Sequence, residues 1–142
     1  MNQTEVLFKL IGEGHKRISD QIEERAILIL GETGTGKSTL TYLFAGKDLK
    51  AVQGPKGDFV IDAKEKIEGV NISHRMVAET KIPMKVKSES GQVVWDCPGF
   101  ADIGRDPKQD IANAFYVQRL IDTTKELKFV LAIPDYHCKG RG

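Results

Sequence analysis

Gly31-Glu32-Thr33-Gly34-Thr35-Gly36-Lys37-Ser38 is the stretch that decides the fold, and it matches the pattern G-x-x-x-x-G-K-[ST] at every fixed position. Before it, Ala26-Ile27-Leu28-Ile29-Leu30 is an apolar run short enough for a buried strand. After it, Thr39 to Ala45 has helix-compatible spacing and stops at Gly46, a good helix terminator. Strand, loop and helix in that order are what the motif needs in order to carry meaning. Gly34 and Gly36 let the backbone turn its N–H groups inward, toward phosphate oxygens at a helix N-terminus. Lys37 can reach the β- and γ-phosphates, and the Ser38 hydroxyl can join the coordination shell of Mg²⁺. An ordinary Gly-rich turn before a helix has no need of Lys37 followed by Ser38. The chain is expected to bind a nucleoside triphosphate.

A length of 142 residues suggests one domain. With 40% hydrophobic and 29% charged residues, the composition is that of an ordinary globular protein. The 21 basic and 20 acidic residues leave a net charge of +1, so no bulk electrostatic pull toward nucleic acid or membrane is implied. The longest apolar run is too short to span a bilayer, and the first twenty residues are too mixed in charge for a secretory signal. Cys97 and Cys138 are the two cysteines, which is no disulfide framework, so a reducing compartment such as the cytoplasm is the default.

Around the motif the pattern is legible in parts. Val6, Leu7, Leu10, Ile11, Ile18 and Ile22 suit one or two short helices, broken near Gly12-Glu13-Gly14. Residues 1–25 are therefore read as an N-terminal helical extension and 26–142 as the main domain. Lys47 to Asp58 holds the loop signal Gly54-Pro55-Lys56-Gly57, and Phe59 to Ile61 and Val70 to Ile72 fit short strands or a surface loop. Ile82, Met84 and Val86 alternate with lysines around Pro83, as in an edge strand. Gln92 to Trp95 reads as a buried strand ending at Asp96. Ile111, Ala114, Phe115 and Ile121 mark the apolar side of a helix over about 108–126, and Lys128 to Ile133 reads as a third buried strand. This order indicates an α/β architecture, a mostly parallel sheet flanked by helices in three layers.

Asp96-Cys97-Pro98-Gly99 closes the second strand. An Asp at the end of a strand neighbouring a phosphate loop can hold Mg²⁺, directly or through water. Gly99, lacking a Cβ, lets its N–H approach a γ-phosphate closely. Asp followed two residues later by Pro-Gly resembles the D-x-x-G motif of GTPases in its Asp-Thr-Pro-Gly form. The chain thus resembles a G domain of the translation-factor-like class of P-loop proteins, nearest in flavour to septin and immunity-associated nucleotide-binding GTPases, with Era-like proteins a step further away. Those families share the Gly-x-[ST]-Gly-x-Gly-Lys-Ser-[TA] form read here from Gly31 to Thr39. The likeness covers roughly residues 26–134, strongest at the phosphate loop.

The resemblance implies a P-loop NTPase fold and hydrolysis of GTP to GDP and phosphate with Mg²⁺ as cofactor. The nucleotide-binding set it implies is Gly31, Glu32, Thr33, Gly34, Thr35, Gly36, Lys37, Ser38, Thr39 and Gly99, with Ser38, Thr80 and Asp96 as metal ligands. Lys37 would stabilise charge on the phosphates. Thr80, the one Thr between Thr41 and Asp96, stands where the first switch Thr would sit, closing over Mg²⁺ and the γ-phosphate. GTP and GDP are the expected ligands, and a homodimer or assembly through the nucleotide face is the expected protein partner.

The chain departs from this pattern in two places. Phe100 follows Gly99 where Ras-like proteins carry the Gln that orients water. Asp102, Arg105 and Asp106 fall in the second switch region, Arg105 either as an arginine finger or as a solvated charge. The base-recognition run Asn-Lys-x-Asp is absent from the sequence, as in a G domain incomplete at its C-terminus. Two other readings stand beside the GTPase. One is a nucleotide-loaded, septin-like scaffold with negligible turnover. The other is an ABC-like ATP-binding protein, although Cys97 follows Asp96 where those enzymes carry a Glu and no Leu-Ser-Gly-Gly-Gln run occurs.

Overall fold

The computed structural model describes residues 2–72, 82–100 and 106–140, and the backbone alone of His137. The elements run α1 (Gln3–Asp20), β1 (Arg25–Gly31), α2 (Lys37–Phe44), β2 (Leu49–Gln53), β3 (Phe59–Ala63), β4 (Met84–Lys87), β5 (Val93–Asp96), α3 (Pro107–Thr123), β6 (Glu126–Ala132) and the short α4 (Asp135–Cys138). Four strands form a mixed sheet in the order β4-β5-β1-β6, and β2 and β3 form a separate hairpin. Strand β1 runs parallel to both β5 and β6, whereas β4 is antiparallel to β5 at the edge. The architecture is α/β. Among the described residues, no helix is long and apolar enough to cross a membrane.

Side chains alternate across β1 because successive residues of a strand point to opposite faces. Ala26 and Leu28 enter a core with Val93, Trp95, Cys97, Ala112, Tyr116, Leu120 and Ile18, with Leu30 packed against it. That core lies between the sheet and the pair α1 and α3. Full burial of side chains such as Leu28, Trp95 and Leu120 contributes about 1.5–3 kcal/mol each. Helix α2 contacts β1 and β5 and also the hairpin strand β3. A second cluster of Tyr42, Ala45, Ala63, Val70 and Val86 holds the hairpin side together. The Tyr42 hydroxyl donates to Val70 O at 2.8 Å and accepts from Ile67 N at 2.8 Å, so one buried phenol satisfies two backbone groups of the segment after the hairpin.

Strand β6, expected to be buried, is an edge strand with no buried residue, Phe129 and Leu131 being exposed, because among the described residues it pairs on one side only and its side chains are at most partly covered on either face. The structure corrects three further sequence expectations. First, α1 is not broken at Gly12-Glu13-Gly14; it is one 18-residue helix, started by a capping box in which Asn2 and Glu5 exchange bonds. Gly14 is there for packing. A Cβ at that position would lie 2.0 Å from Tyr116 Cε1, so the glycine lets α1 and α3 close on each other. Second, Leu49 to Gln53 forms a strand within the stretch read as loop. Its apolar residues keep no period of two, and the pairing with Phe59–Ala63 across the Gly54–Gly57 turn supplies what the pattern lacks.

The third correction concerns α3, which spans Pro107–Thr123 and buries the opposite side from the one expected. Ile111, Ala114, Phe115 and Ile121 are exposed, while Gln109, Ala112, Asn113, Tyr116 and Leu120 are buried. Both stripes have helical spacing. The inner one carries polar Gln109 and Asn113, whose amides find partners inside, which removes most of the cost of burial.

The glycine contact gives a paired test of helix packing. Gly14→Ala should destabilise the chain by about 1–3 kcal/mol through overpacking against Tyr116, despite the better helix propensity of Ala. Gly12→Ala, where nothing lies within 4 Å of the added methyl, should stabilise it by about 0.5–1 kcal/mol. Urea unfolding midpoints of the two variants check this; the same sign for both would refute the packing role of Gly14.

Candidate functional site

Three parallel strands bring their carboxyl ends to one edge of the sheet. From there the chain leaves in two directions: β1 runs into α2 on one face, and β5 runs through Asp96–Phe100 toward α3 on the other. Adjacent strands whose connections diverge to opposite faces leave a crevice at their carboxyl ends, the place where open α/β sheets bind ligands. The Gly31–Ser38 loop and Asp96 share this crevice. The register aligns Ile29 with Asp96 and Gly31 with Ala132.

The loop folds as its glycines demand. Gly34 and Gly36 have φ of 83° and 86°, the left-handed region that favours glycine. Gly36 is the N-cap of α2 and supplies no side-chain cap, so no side chain closes the first helical turn from this position. Thr35 Oγ1 donates to Glu32 O at 2.8 Å, and the Lys37 ammonium donates to the same carbonyl at 2.6 Å. Lys37 is a buried lysine, drawn back over the loop that its own helix starts. Tyr136, on α4, donates its hydroxyl to Glu32 Oε2 at 3.0 Å and so ties α4 to the loop. Thr41, one turn into α2, donates to Lys37 O at 3.0 Å.

Asp96 is the unusual group. It is 1% exposed; its Oδ2 accepts from Ser38 Oγ at 3.0 Å, and its Oδ1 has no hydrogen-bond partner among the described residues. Burial raises its pKa to about 6, against the opposing effects of the Ser38 bond and of the nearby Lys37 charge. A buried carboxylate oxygen without a donor is costly, and a bound cation is one of the few things that relieve it. Ser38 and Asp96 are oxygen donors, the ligand type that Mg²⁺ takes. The residues fit the ion. Burial also pushes the neighbouring Cys97 thiol well up, which makes it a packed side chain and not a nucleophile.

The segment after Asp96 presses on the loop. A Cβ at Gly99 would sit 2.5 Å from Thr33 Oγ1 and 2.6 Å from Thr33 N, so glycine is required for this contact. Phe100 N donates to Gly31 O at 3.1 Å, and Phe100 forms a parallel bridge with Glu32. Behind Phe100 lies an apolar cavity of about 380 Å³, walled by Leu30, Leu131, Ile133 and Pro134 beside Gly31 and Glu32.

Gly31 to Thr39, Asp96 and Gly99 therefore come together at one edge of the sheet, as the spacing suggested. Thr80, Asp102 and Arg105 lie outside the described residues. Asp106 is the N-cap of α3, accepting from Lys108 N at 3.1 Å. Asn113, not among the residues expected from the sequence, joins the site: its side-chain amide donates to Pro98 O at 3.1 Å and to Gly99 O at 3.0 Å. The available signal was the polar pair Gln109 and Asn113, one turn apart on a helix following Asp96-Cys97-Pro98-Gly99.

The raised pKa of Asp96 sets a sign for stability against pH. With a folded value near 6 and an ordinary value of 3.8, the folded chain holds the extra proton, so stability falls as pH rises from about 4 through 6. Asp96→Asn should therefore stabilise the chain at pH 7 by about 1–3 kcal/mol without added nucleotide or divalent cation, and the gain should vanish near pH 4. Thermal melts of both proteins across this range check it; a gain independent of pH would refute the buried charge.

Compared with protein-family models, with curated proteins and with solved structures, the chain matches none.

Proposed function

We propose that this protein binds a guanine nucleoside triphosphate with Mg²⁺ in the crevice between β1 and β5, adopts a P-loop NTPase fold, and hydrolyses GTP to GDP and phosphate as a switch or assembly module. The observation that carries the reading is the hydrogen bond from half-buried Ser38 to buried Asp96, whose Oδ1 has no partner among the described residues, at the foot of a glycine loop whose Lys37 is also buried. A structural turn needs none of these three. A triphosphate site needs all of them: loop amides and a cation for phosphate, a hydroxyl and a carboxylate for the metal.

Each residue then has a task. The amides from Gly31 to Thr39 cradle the phosphates, and the Lys37 ammonium, released from Glu32 O, stabilises charge on the β- and γ-phosphoryl oxygens. Ser38 and Asp96 hold Mg²⁺, with Thr80 as the third ligand implied by the resemblance. When bound, the ion neutralises charge on the phosphate oxygens. Gly99 brings its N–H to the γ-phosphate, so loss of that phosphate removes this contact with the turn after Asp96. Water attacks the γ-phosphorus, the bond from that phosphorus to the bridging oxygen breaks, GDP leaves with the bridging oxygen and its electron pair, and the water's proton passes to the phosphate oxygens.

A second reading is the nucleotide-loaded scaffold with negligible turnover, for which GTP-dependent pairing of two copies through the nucleotide face would be the output. Phe100 favours it: the residue after Gly99 offers only a hydrocarbon ring and spends its N–H on Gly31 O, so it cannot orient a water.

Lys37→Ala should abolish Mg²⁺-dependent triphosphate binding while leaving the far-ultraviolet spectrum unchanged. Asp96→Ala should weaken the Mg²⁺ dependence more than nucleotide binding itself, since the loop amides hold phosphate without it. Titration with a fluorescent triphosphate at several Mg²⁺ concentrations checks both. Affinity of Lys37→Ala within a few-fold of the parent would refute the phosphate-loop reading. No Asn-Lys-x-Asp occurs in the 142 residues, so the chain should discriminate GTP from ATP by less than about a hundredfold, because a polar base-reading group is what supplies large ratios. Competition binding measures that ratio; a larger preference for GTP would point to guanine-reading residues outside the motif.

A further inference from the structure

Asn113 is 1% exposed, on a helix face whose other buried members are Gln109, one turn before it, and the mostly apolar Ala112, Tyr116 and Leu120. Burying an amide there is unfavourable unless both its hydrogens and its oxygen are used. Both hydrogens are. Nδ2 donates to two consecutive carbonyls, Pro98 O at 3.1 Å and Gly99 O at 3.0 Å. The oxygen is used as well, receiving Gln109 Nε2 at 3.4 Å from one turn earlier on α3. One side chain thus grips two successive peptide units of the turn that follows Asp96.

The consequence follows from peptide planarity. In a trans peptide the C=O and the next N–H are coplanar and point in opposite directions. Fixing Pro98 O therefore fixes the direction of the Gly99 N–H, and fixing Gly99 O fixes that of the Phe100 N–H. The second peptide unit is held at both ends, because Phe100 N donates to Gly31 O at 3.1 Å. The first is pressed against Thr33 at the glycine contact. Without the amide, both units could rotate about their flanking bonds, as a Pro-Gly turn readily does.

We infer that Asn113, oriented by Gln109, is a positioning residue that aims the Gly99 peptide at the phosphate loop, so that discrimination between triphosphate and diphosphate runs through helix α3. This rests on the nucleotide reading above and adds the route by which the γ-phosphate is felt away from the loop. The physical basis is preorganisation: a donor already aimed at the γ-phosphate gives up less conformational freedom when that phosphate arrives. The diphosphate, held by the Gly31–Thr39 amides and Lys37, does not draw on it.

The test compares the intact 142-residue chain with Asn113→Ala and Gln109→Leu, using a fluorescent non-hydrolysable GTP analogue and fluorescent GDP at saturating Mg²⁺, with a thermal melt of each protein. For Asn113→Ala the ratio of diphosphate Kd to triphosphate Kd should fall about tenfold, the effect of roughly one well-placed hydrogen bond, with diphosphate affinity within about twofold of the parent. Gln109→Leu, which leaves the grip on both carbonyls but removes its support, should lower the ratio about threefold and decides the matter if Asn113→Ala does not fold. An unchanged ratio in a folded variant, or equal loss of both affinities, would mean that Asn113 merely satisfies two carbonyls, and the inference falls. A parent chain that binds neither nucleotide would overturn the nucleotide reading itself, and this inference with it.

Discussion

The site depends on β1 lying between β5 and β6 with all three strands pointing the same way. Parallel pairing brings carboxyl ends together, and a crevice opens only if the chain then leaves two neighbouring strands toward opposite faces. Here the fork is between β1, which enters α2, and β5, which leads to α3. An antiparallel neighbour would place Asp96 at the far end of the sheet from Ser38. The antiparallel strand is instead β4, outside β5, where it closes the sheet and leaves the crevice alone.

Two cores hold this fork in place, and each carries a buried tyrosine hydroxyl bonded to backbone. On the α1 and α3 side, Gly14 lets the helices approach so closely that Tyr116 lies against the glycine and donates to Leu10 O at 2.6 Å. That approach sets the depth of α3 and with it the reach of Asn113 to Pro98 and Gly99. On the α2 side, Tyr42 anchors the segment after the hairpin, while the first turn of α2 delivers Lys37 and Ser38 to the loop. The crevice is shaped by packing on both faces at once.

Burial is what gives the few polar groups their weight. Asp96, Lys37, Gln109 and Asn113 are among the few buried polar side chains of the described residues, and all four belong to the crevice or to the turn beside it. In a medium of low dielectric, a charge or amide without a partner costs several kcal/mol and one with a partner is held firmly. Three of the four are anchored by protein donors or acceptors. Asp96 is half-satisfied, with one oxygen on Ser38 and the other without a donor among the described residues, and the proposed cation and nucleotide site rests on that imbalance.

Much of this was legible along the chain, because the deciding signals are local. A glycine loop between an apolar run and a helix, an Asp at a strand end and a Pro-Gly turn are each readable within a few residues, and so were β1, β5, the edge strand β4 and the position of β6, though not its exposure at the other edge of the sheet. What escaped was decided by tertiary contact. Both stripes of α3 have helical period, and only docking against α1 and the sheet selects the one with Asn113 and Gln109, since the carbonyls that Asn113 bonds lie on the distant Pro98–Gly99 turn. Gly12 and Gly14 read as a helix break, because a sequence does not reveal that Tyr116, a hundred positions on, needs the room. Strand β2 has no alternation of its own and exists through its pairing with β3. The sequence by itself determined the groups available to the crevice, because the glycines, Lys37 and Ser38 of the loop are near-consecutive residues. Tertiary structure decided which groups meet there and which are left short of a partner, because burial and long-range hydrogen bonds are properties of the packed chain.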